Sequence, residues 1–175
     1  FTMFADDLKI YRPVDSAEDV EAIQSSIDAI QLWAHNWKLT LSEEKTKVLH
    51  IGQHNREHLY TIGNSSIGKV DVIRDLGFLV NKKLSFDEHC ENIANKAMRV
   101  VHNLFRALVT KNSAMFLKAY KMYVRPILEY GTQVYCPHTK KSIEKLERVQ
   151  NTFTRKLMIR TLGFRYDEIP SKHER

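Results

Sequence analysis

Cysteine is scarce in this 175-residue chain: Cys90 and Cys136 stand far apart and neither belongs to a Cys-x-x-Cys pair. That excludes a disulfide framework and a zinc finger, and reads both residues as small core side chains of an intracellular protein. No apolar run approaches the roughly 20 residues of a membrane span, and the N-terminus has neither the basic flank nor the long apolar stretch of a signal peptide. A nuclear or cytoplasmic protein with no membrane partner is the expectation. Internal repeats and low-complexity linkers are lacking as well. His50, His54 and His58 are spaced four apart, but Gly52, Gln53, Asn55, Arg56 and Glu57 make the segment a loop, without the rigid element a metal site needs. What remains is 43% hydrophobic and 27% charged, with length for one large or two small domains around a real core.

Charge is unevenly divided. Residues 1 to 86 carry 10 Lys and Arg against 12 Asp and Glu, whereas residues 87 to 175 carry 17 against 9, so the whole excess of +6 comes from the second half. That half is expected to face a polyanion, and acidic residues joined to it suit a protein that handles nucleic acid with metal ions. A merely soluble basic surface gives the same balance.

The most informative stretch is Phe4-Ala5-Asp6-Asp7, with apolar residues before it and Leu8-Lys9-Ile10-Tyr11 behind it. Apolar, acid-acid, apolar reads as a tight β-hairpin with carboxylates at its tip, because Asp suits turns and tolerates left-handed backbone. Two like charges so close repel, and a hard dication such as Mg²⁺ relieves that repulsion. An ordinary solvated acidic turn fits the pair equally well in isolation. The chain starts at Phe1, inside what reads as a strand, so the expectation is an incomplete chain whose preceding residues finish the sheet.

Ser16 is the expected N-cap of a helix with Glu18 and Asp19 in its first turn, where the helix dipole favours them. Val20, Ile23, Ile27, Ile30, Ala34 and Trp37 form its apolar face to about Lys38. Thr46 to Ile51 reads as a strand, Tyr60 to Ile67 as a hairpin around Gly63-Asn64, and Val70 to Val80 as a further strand pair. Beyond Leu84 the pattern is helical. Ser85 and Glu88 fit a capping box, and Cys90, Ala94, Ala97, Val101, Leu104 and Leu108 make a core seam. Lys96, Arg99, Asn103 and Arg106 make a second, basic stripe, which serves a phosphate backbone or simply water. A second helix over Ser113 to Arg125, ended by Pro126, carries Phe116, Tyr120 and Tyr123. A third turns Ile143, Leu146, Val149, Phe153 and Leu157 inward, leaving Lys145, Arg148, Arg155, Lys156 and Arg160 largely off the seam. The polar tail from about Arg165 is expected to fray.

Taken in order, the acidic hairpin, amphipathic helix, Lys-bearing strand, second hairpin and basic helices resemble the second half of a reverse transcriptase. The likeness is strongest to non-LTR (LINE-like, jockey-type) retrotransposon polymerases and covers nearly the whole chain. Phe4-Ala5-Asp6-Asp7 matches the family's [Tyr/Phe]-Ala-Asp-Asp box, which implies that Asp6 and Asp7 are catalytic ligands of two Mg²⁺ ions, Asp6 the principal one. Trp37-Lys38-Leu39-Thr40-Leu41-Ser42-Glu43-Glu44-Lys45-Thr46 resembles the next motif, with Ser42 where Asn is typical. Lys45 matches the motif lysine, whose implied role is to stabilise or protonate departing pyrophosphate. Leu76-Gly77-Phe78 resembles the primer grip, where Gly77 lets backbone approach the primer. Leu84-Ser85-Phe86 and His89 continue the pattern.

The resemblance implies an α+β fold: residues 1–84 as the C-terminal part of a polymerase palm, antiparallel strands with a packed helix, and residues 85–175 as an all-α thumb bundle and following segment. It implies an RNA template, a DNA primer and a deoxynucleoside triphosphate as partners of the complete enzyme, with Lys96, Arg99 and Arg106 on the template–primer backbone. A polymerase also needs a third carboxylate from an upstream strand and a fingers region. This sequence contains neither, so the chain by itself is not expected to polymerise. A non-catalytic nucleic-acid-binding or interaction module, decayed or domesticated, is the competing reading.

Overall fold

The first unit, Phe1–Asp75 with Val80–Leu84, opens on a hairpin of β1 (Thr2–Phe4) and β2 (Asp7–Lys9), antiparallel with Phe4 opposite Asp7. The computed structural model describes residues 1–53, 55–165 and 168, so His54 of the histidine series and nearly all of the tail beyond Arg165 lie outside the described residues. Helix α1 (Ala17–Asn36) follows, capped by Ser16. The cap is a full capping box, since the Ser16 hydroxyl accepts from the Asp19 amide while the Asp19 carboxylate accepts from the Ser16 amide. Arg12 donates to the same carboxylate at 2.8 Å, and Asp19 is held down to a pKa of about 2, first by Arg12 and then by the amides of Asp15 and Ser16.

Next come β3 (Lys47–Leu49), β4 (Thr61–Ile62), β5 (Ser65–Ser66), β6 (Gly68–Val70), β7 (Val72–Asp75) and β8 (Phe78–Asn81). β4 and β5 are an antiparallel hairpin, but β3 and β6 are parallel, unlike the all-antiparallel strands expected. A parallel pair needs a long connection, and residues 50–67 provide it by carrying the β4–β5 hairpin between the two strands. Ile27, Tyr60, Ile62 and Ile67 form the core, with Ile10, Val20, Ile23 and Val48 against it. Trp37, assigned to the apolar face, is instead exposed, because the helix ends at Asn36 and Lys38 turns left-handed at φ 56°. Gln24 bonds both the amide and the carbonyl of Thr61, at 3.1 and 3.0 Å, and Gln31 accepts from Gly63 at 2.9 Å. Two glutamines one helical face apart thus satisfy backbone groups that a two-residue strand leaves unpaired.

The second unit, Leu76–Leu79 with Ser85 onward, contains α2 (Asp87–Ala107), α3 (Ser113–Tyr123), α4 (Arg125–Glu129), α5 (Thr132–Tyr135) and α6 (Lys140–Leu162). Its core joins Ala97, Val101 and Phe105 of α2 to Phe116 and Tyr120 of α3 and to Val149 and Phe153 of α6. Phe105 stacks on Phe116 at 4.6 Å between centroids, and Tyr120 meets Phe153 at 4.3 Å. Among the described residues no helix is long and apolar enough to cross a membrane.

Four expectations fail here. Phe86, not Ser85, is the N-cap of α2, so the Ser85 hydroxyl reaches the Asp87 amide and the capping box with Glu88 is not made. Pro126 does not end a helix; it lies in the first turn of α4, where its missing N–H costs no intrahelical bond. Ile143 is exposed and its neighbour Ser142 is buried, because Ser142 donates to Asp87 at 2.5 Å and so turns that face of α6 toward α2. Cys136, just past α5 and before Pro137, is exposed, whereas Cys90 is buried as expected.

Candidate functional site

At the tip of the β1–β2 hairpin, Ala5 and Asp6 form the turn and Asp7 opens the returning strand, so the two carboxylates stand side by side and exposed. Ala5 has φ 53°, a left-handed value that costs a non-glycine residue roughly 1 kcal/mol or more. Two contacts below the tip hold the hairpin. Ile10 packs on the first core, and Lys9 makes a two-oxygen ion pair with Asp75 at 2.6 and 2.7 Å. Neither Lys9 nor Asp75 stood out in the sequence, since alternation alone does not say which strand will lie opposite.

Lys45 lies exposed in the turn that leads into β3. The turn is closed by the Ser42 carbonyl, which accepts from the Thr46 amide at 3.0 Å and the Thr46 hydroxyl at 2.8 Å. Backbone supplies both acceptances, so a Ser in place of Asn leaves this closure intact. Among the described residues no group of three or more His, Cys, Asp and Glu is placed to hold a metal ion. Asp6 and Asp7 are hard oxygen donors of the right kind for Mg²⁺, but two adjacent carboxylates are only part of a donor set.

Leu76 and Gly77 join β7 to β8 with φ of 45° and 94°, the doubly left-handed geometry of a tight hairpin turn. Both are exposed, while Phe78 turns inward and is buried. Along α2 the side chains of Lys96, Arg99 and Arg106 are all exposed, and Arg106 donates to Asn103 at 3.0 Å. The basic residues of α6 are used differently. Lys145 pairs with Glu91, Lys156 sits 5.9 Å over the Phe105 ring, and Arg160 donates to the carbonyls of Phe105 and Leu108, which end α2. Three cations that sequence left open for a polyanion are therefore engaged in holding α6 to α2. The predicted residues thus fall into two groups: Asp6, Asp7 and Lys45 in the first unit, and Leu76, Gly77, Phe78, Lys96, Arg99 and Arg106 in the second.

With this arrangement in view, similarity to known proteins gives it a context. The chain is 25% identical over 139 residues to the RNA-directed DNA polymerase from mobile element jockey of Drosophila melanogaster, which is 77% of this chain and 15% of that protein. Its counterpart from Drosophila funebris is 24% identical over 159 residues, 88% of this chain and 17% of that protein. The chain is a distant relative of these polymerases. It is also 34% identical over 85 residues to the uncharacterized protein B0403.1 of Caenorhabditis elegans, covering 49% of this chain and 43% of that one. It therefore spans less than half the length of each of these relatives. No protein-family model matches the chain, and no solved structure does. The relationship to the jockey polymerases covers most of the sequence and is reverse-transcriptase-like.

Proposed function

We propose that this chain is part of a retrotransposon reverse transcriptase, with the first unit a portion of the palm and the second unit a thumb. The observation that carries the reading is the similarity to the jockey polymerases over 77% and 88% of the chain, in which the exposed Asp6-Asp7 tip falls on the Phe-Ala-Asp-Asp box. In this role Asp6 and Asp7 hold Mg²⁺ together with a further carboxylate from outside these residues. When bound, the metal lowers the pKa of a primer hydroxyl and neutralises charge on the nucleotide phosphates. Lys45 faces the triphosphate as a cation. The Leu76-Gly77 turn offers bare backbone to the sugar-phosphate chain of the DNA primer, and Lys96, Arg99 and Arg106 contact the backbone of the RNA–DNA duplex.

Two measurements test this. The chain is combined with the upstream polymerase segment of a jockey relative and primer extension is followed: activity is expected with Asp6 and Asp7 and its loss with Asp6→Asn or Asp7→Asn, while duplex binding is kept. Duplex affinity of the chain itself is then read against salt, where neutralising Lys96, Arg99 and Arg106 should lower the slope of log K on log[salt] by roughly 3. A slope unchanged by those substitutions, together with no extension by the combined enzyme, overturns the reading.

A further inference from the structure

The Leu76-Gly77 turn is a strained element held from one side by an aromatic cluster that no sequence motif announced as a unit. Leu76 is a γ-branched residue at φ 45°, where Asn or Gly is the usual choice, and such strain persists only where the surroundings over-determine it. The surroundings are specific. Tyr130 donates its hydroxyl to the Leu76 carbonyl at 3.3 Å, and its ring stacks on Phe78 at 5.5 Å and 12°. His89 accepts the Leu79 amide on Nδ1 at 3.3 Å. Its ring lies 5.3 Å from Phe78 and 4.9 Å from Tyr135.

Gly131 completes the fit. A methyl group there would stand 2.6 Å from Phe78 Cε1 and nearer still to Cζ, so only glycine leaves room for the ring. His89 is 2% exposed, and its Nε2 is buried with no hydrogen-bond partner among the described residues. An acceptor at Nδ1 requires the proton on Nε2 in the neutral ring. The structure therefore accepts an unpaired N–H in order to keep Nδ1 as acceptor for Leu79. A cost of this size, about 1–3 kcal/mol for a buried unsatisfied donor, marks a contact that positions something.

We propose that His89, Tyr130 and Tyr135, with Gly131 as the gap that admits Phe78, are positioning residues that present the Leu76-Gly77 backbone to the 3′-terminal segment of a primer strand. The inference rests on the reading given under Proposed function. Phe78 and Leu79 are fixed from the helices behind them, so Leu76 and Gly77 are left exposed in one conformation, with carbonyl and amide directions set before nucleic acid arrives. Tyr130 acts on the turn itself. His89 and Tyr135 act through Leu79 and Phe78.

The test compares binding of the chain to two duplexes of equal length, one with a recessed primer 3′ end and one blunt. Wild type is expected to prefer the recessed duplex. Tyr130→Phe, which keeps the ring stack, should reduce that preference about fivefold, the size of one hydrogen bond, and His89→Leu at least as much. Blunt-duplex affinity and its salt slope should stay as in wild type. His89→Asn, whose amide oxygen can take the place of Nδ1, should restore the preference. Amide exchange at Leu79 should quicken in His89→Leu and recover in His89→Asn, which reports the contact directly and confirms that each variant is folded. Variants that exchange and bind like wild type overturn the inference, as does a wild type with no preference for the recessed end. Absence of any duplex binding by wild type instead overturns the functional reading beneath it.

Discussion

Replacing Gly131 by Ala tests the packing of the second unit more sharply than any other single change. Two costs combine. Gly131 has φ 67°, and an alanine there pays about 1–2 kcal/mol of left-handed strain, offset by about 0.4–1 kcal/mol because the unfolded chain loses freedom. The added methyl also falls 2.6 Å from Phe78 Cε1, and Phe78 has Tyr130 on one side and His89 and Tyr135 on the other. Overpacking of that kind costs about 1–3 kcal/mol. The expected total is about 2–4 kcal/mol, a large part of a domain's stability.

Gly163 separates the two terms. It ends α6 at φ 75° with nothing within 4 Å of a built Cβ, so Gly163→Ala should cost only the backbone share, about 1 kcal/mol. The assay is urea unfolding followed by circular dichroism at a helical wavelength, because α2 to α6 all lie in the second unit while Trp33 and Trp37 lie in the first. In a Phe78→Leu background the increment from Gly131→Ala should shrink toward that of Gly163→Ala, a coupling of about 1–3 kcal/mol between contacting residues. Equal costs at Gly131 and Gly163, or an increment indifferent to Phe78, would refute the reasoning.

Other outcomes follow from single contacts. Asp75→Asn should destabilise the first unit by about 1 kcal/mol or less, since its side chain and that of Lys9 are each about one-third exposed and screened, and the exchanged pair Lys9→Glu with Asp75→Lys should recover most of it in urea titrations at low salt. Ser16→Ala should cost about 1 kcal/mol by removing the α1 cap. Asp19 has its folded pKa lowered to about 2 from 3.8, so its contribution is complete above 3.8 and fades as pH falls through about 2; acid titration of Asp19→Asn should lack that component. His89 and His50 have pKa values pushed below 6.5, chiefly by burial. The unfolded chain then binds protons first, so stability should be full above 6.5 and decline as pH falls below it, and a urea midpoint that rises on acidification from about pH 7.5 to 5.5 would contradict this.

The local elements were legible because each is decided by neighbours in sequence. Phe4 to Lys9 had to reverse at its two acids, and Ser16 with Asp19 had to start a helix. The seam Cys90, Ala94, Ala97, Val101 follows from helical periodicity alone. The errors sit where one residue's offset depends on a distant group: Ser142 displaced Ile143 inward because Asp87 lies across from it, and Pro126 opened α4 because Val124 is buried in the core beside it.

The sequence by itself determined where the acids Asp6 and Asp7 are displayed, which half carries the positive charge, and which helix faces are apolar, because turn chemistry, net charge and periodicity are additive along a chain. Only the tertiary structure decided what each polar side chain does. Lys145, Lys156 and Arg160 read as a basic stripe yet bind Glu91, a ring and carbonyls of α2, while Lys96, Arg99 and Arg106 stay exposed. His89 and Tyr130 are separated by forty residues of sequence and grip neighbouring atoms of one turn. Such partnerships depend on distances across space, which no spacing along the chain encodes.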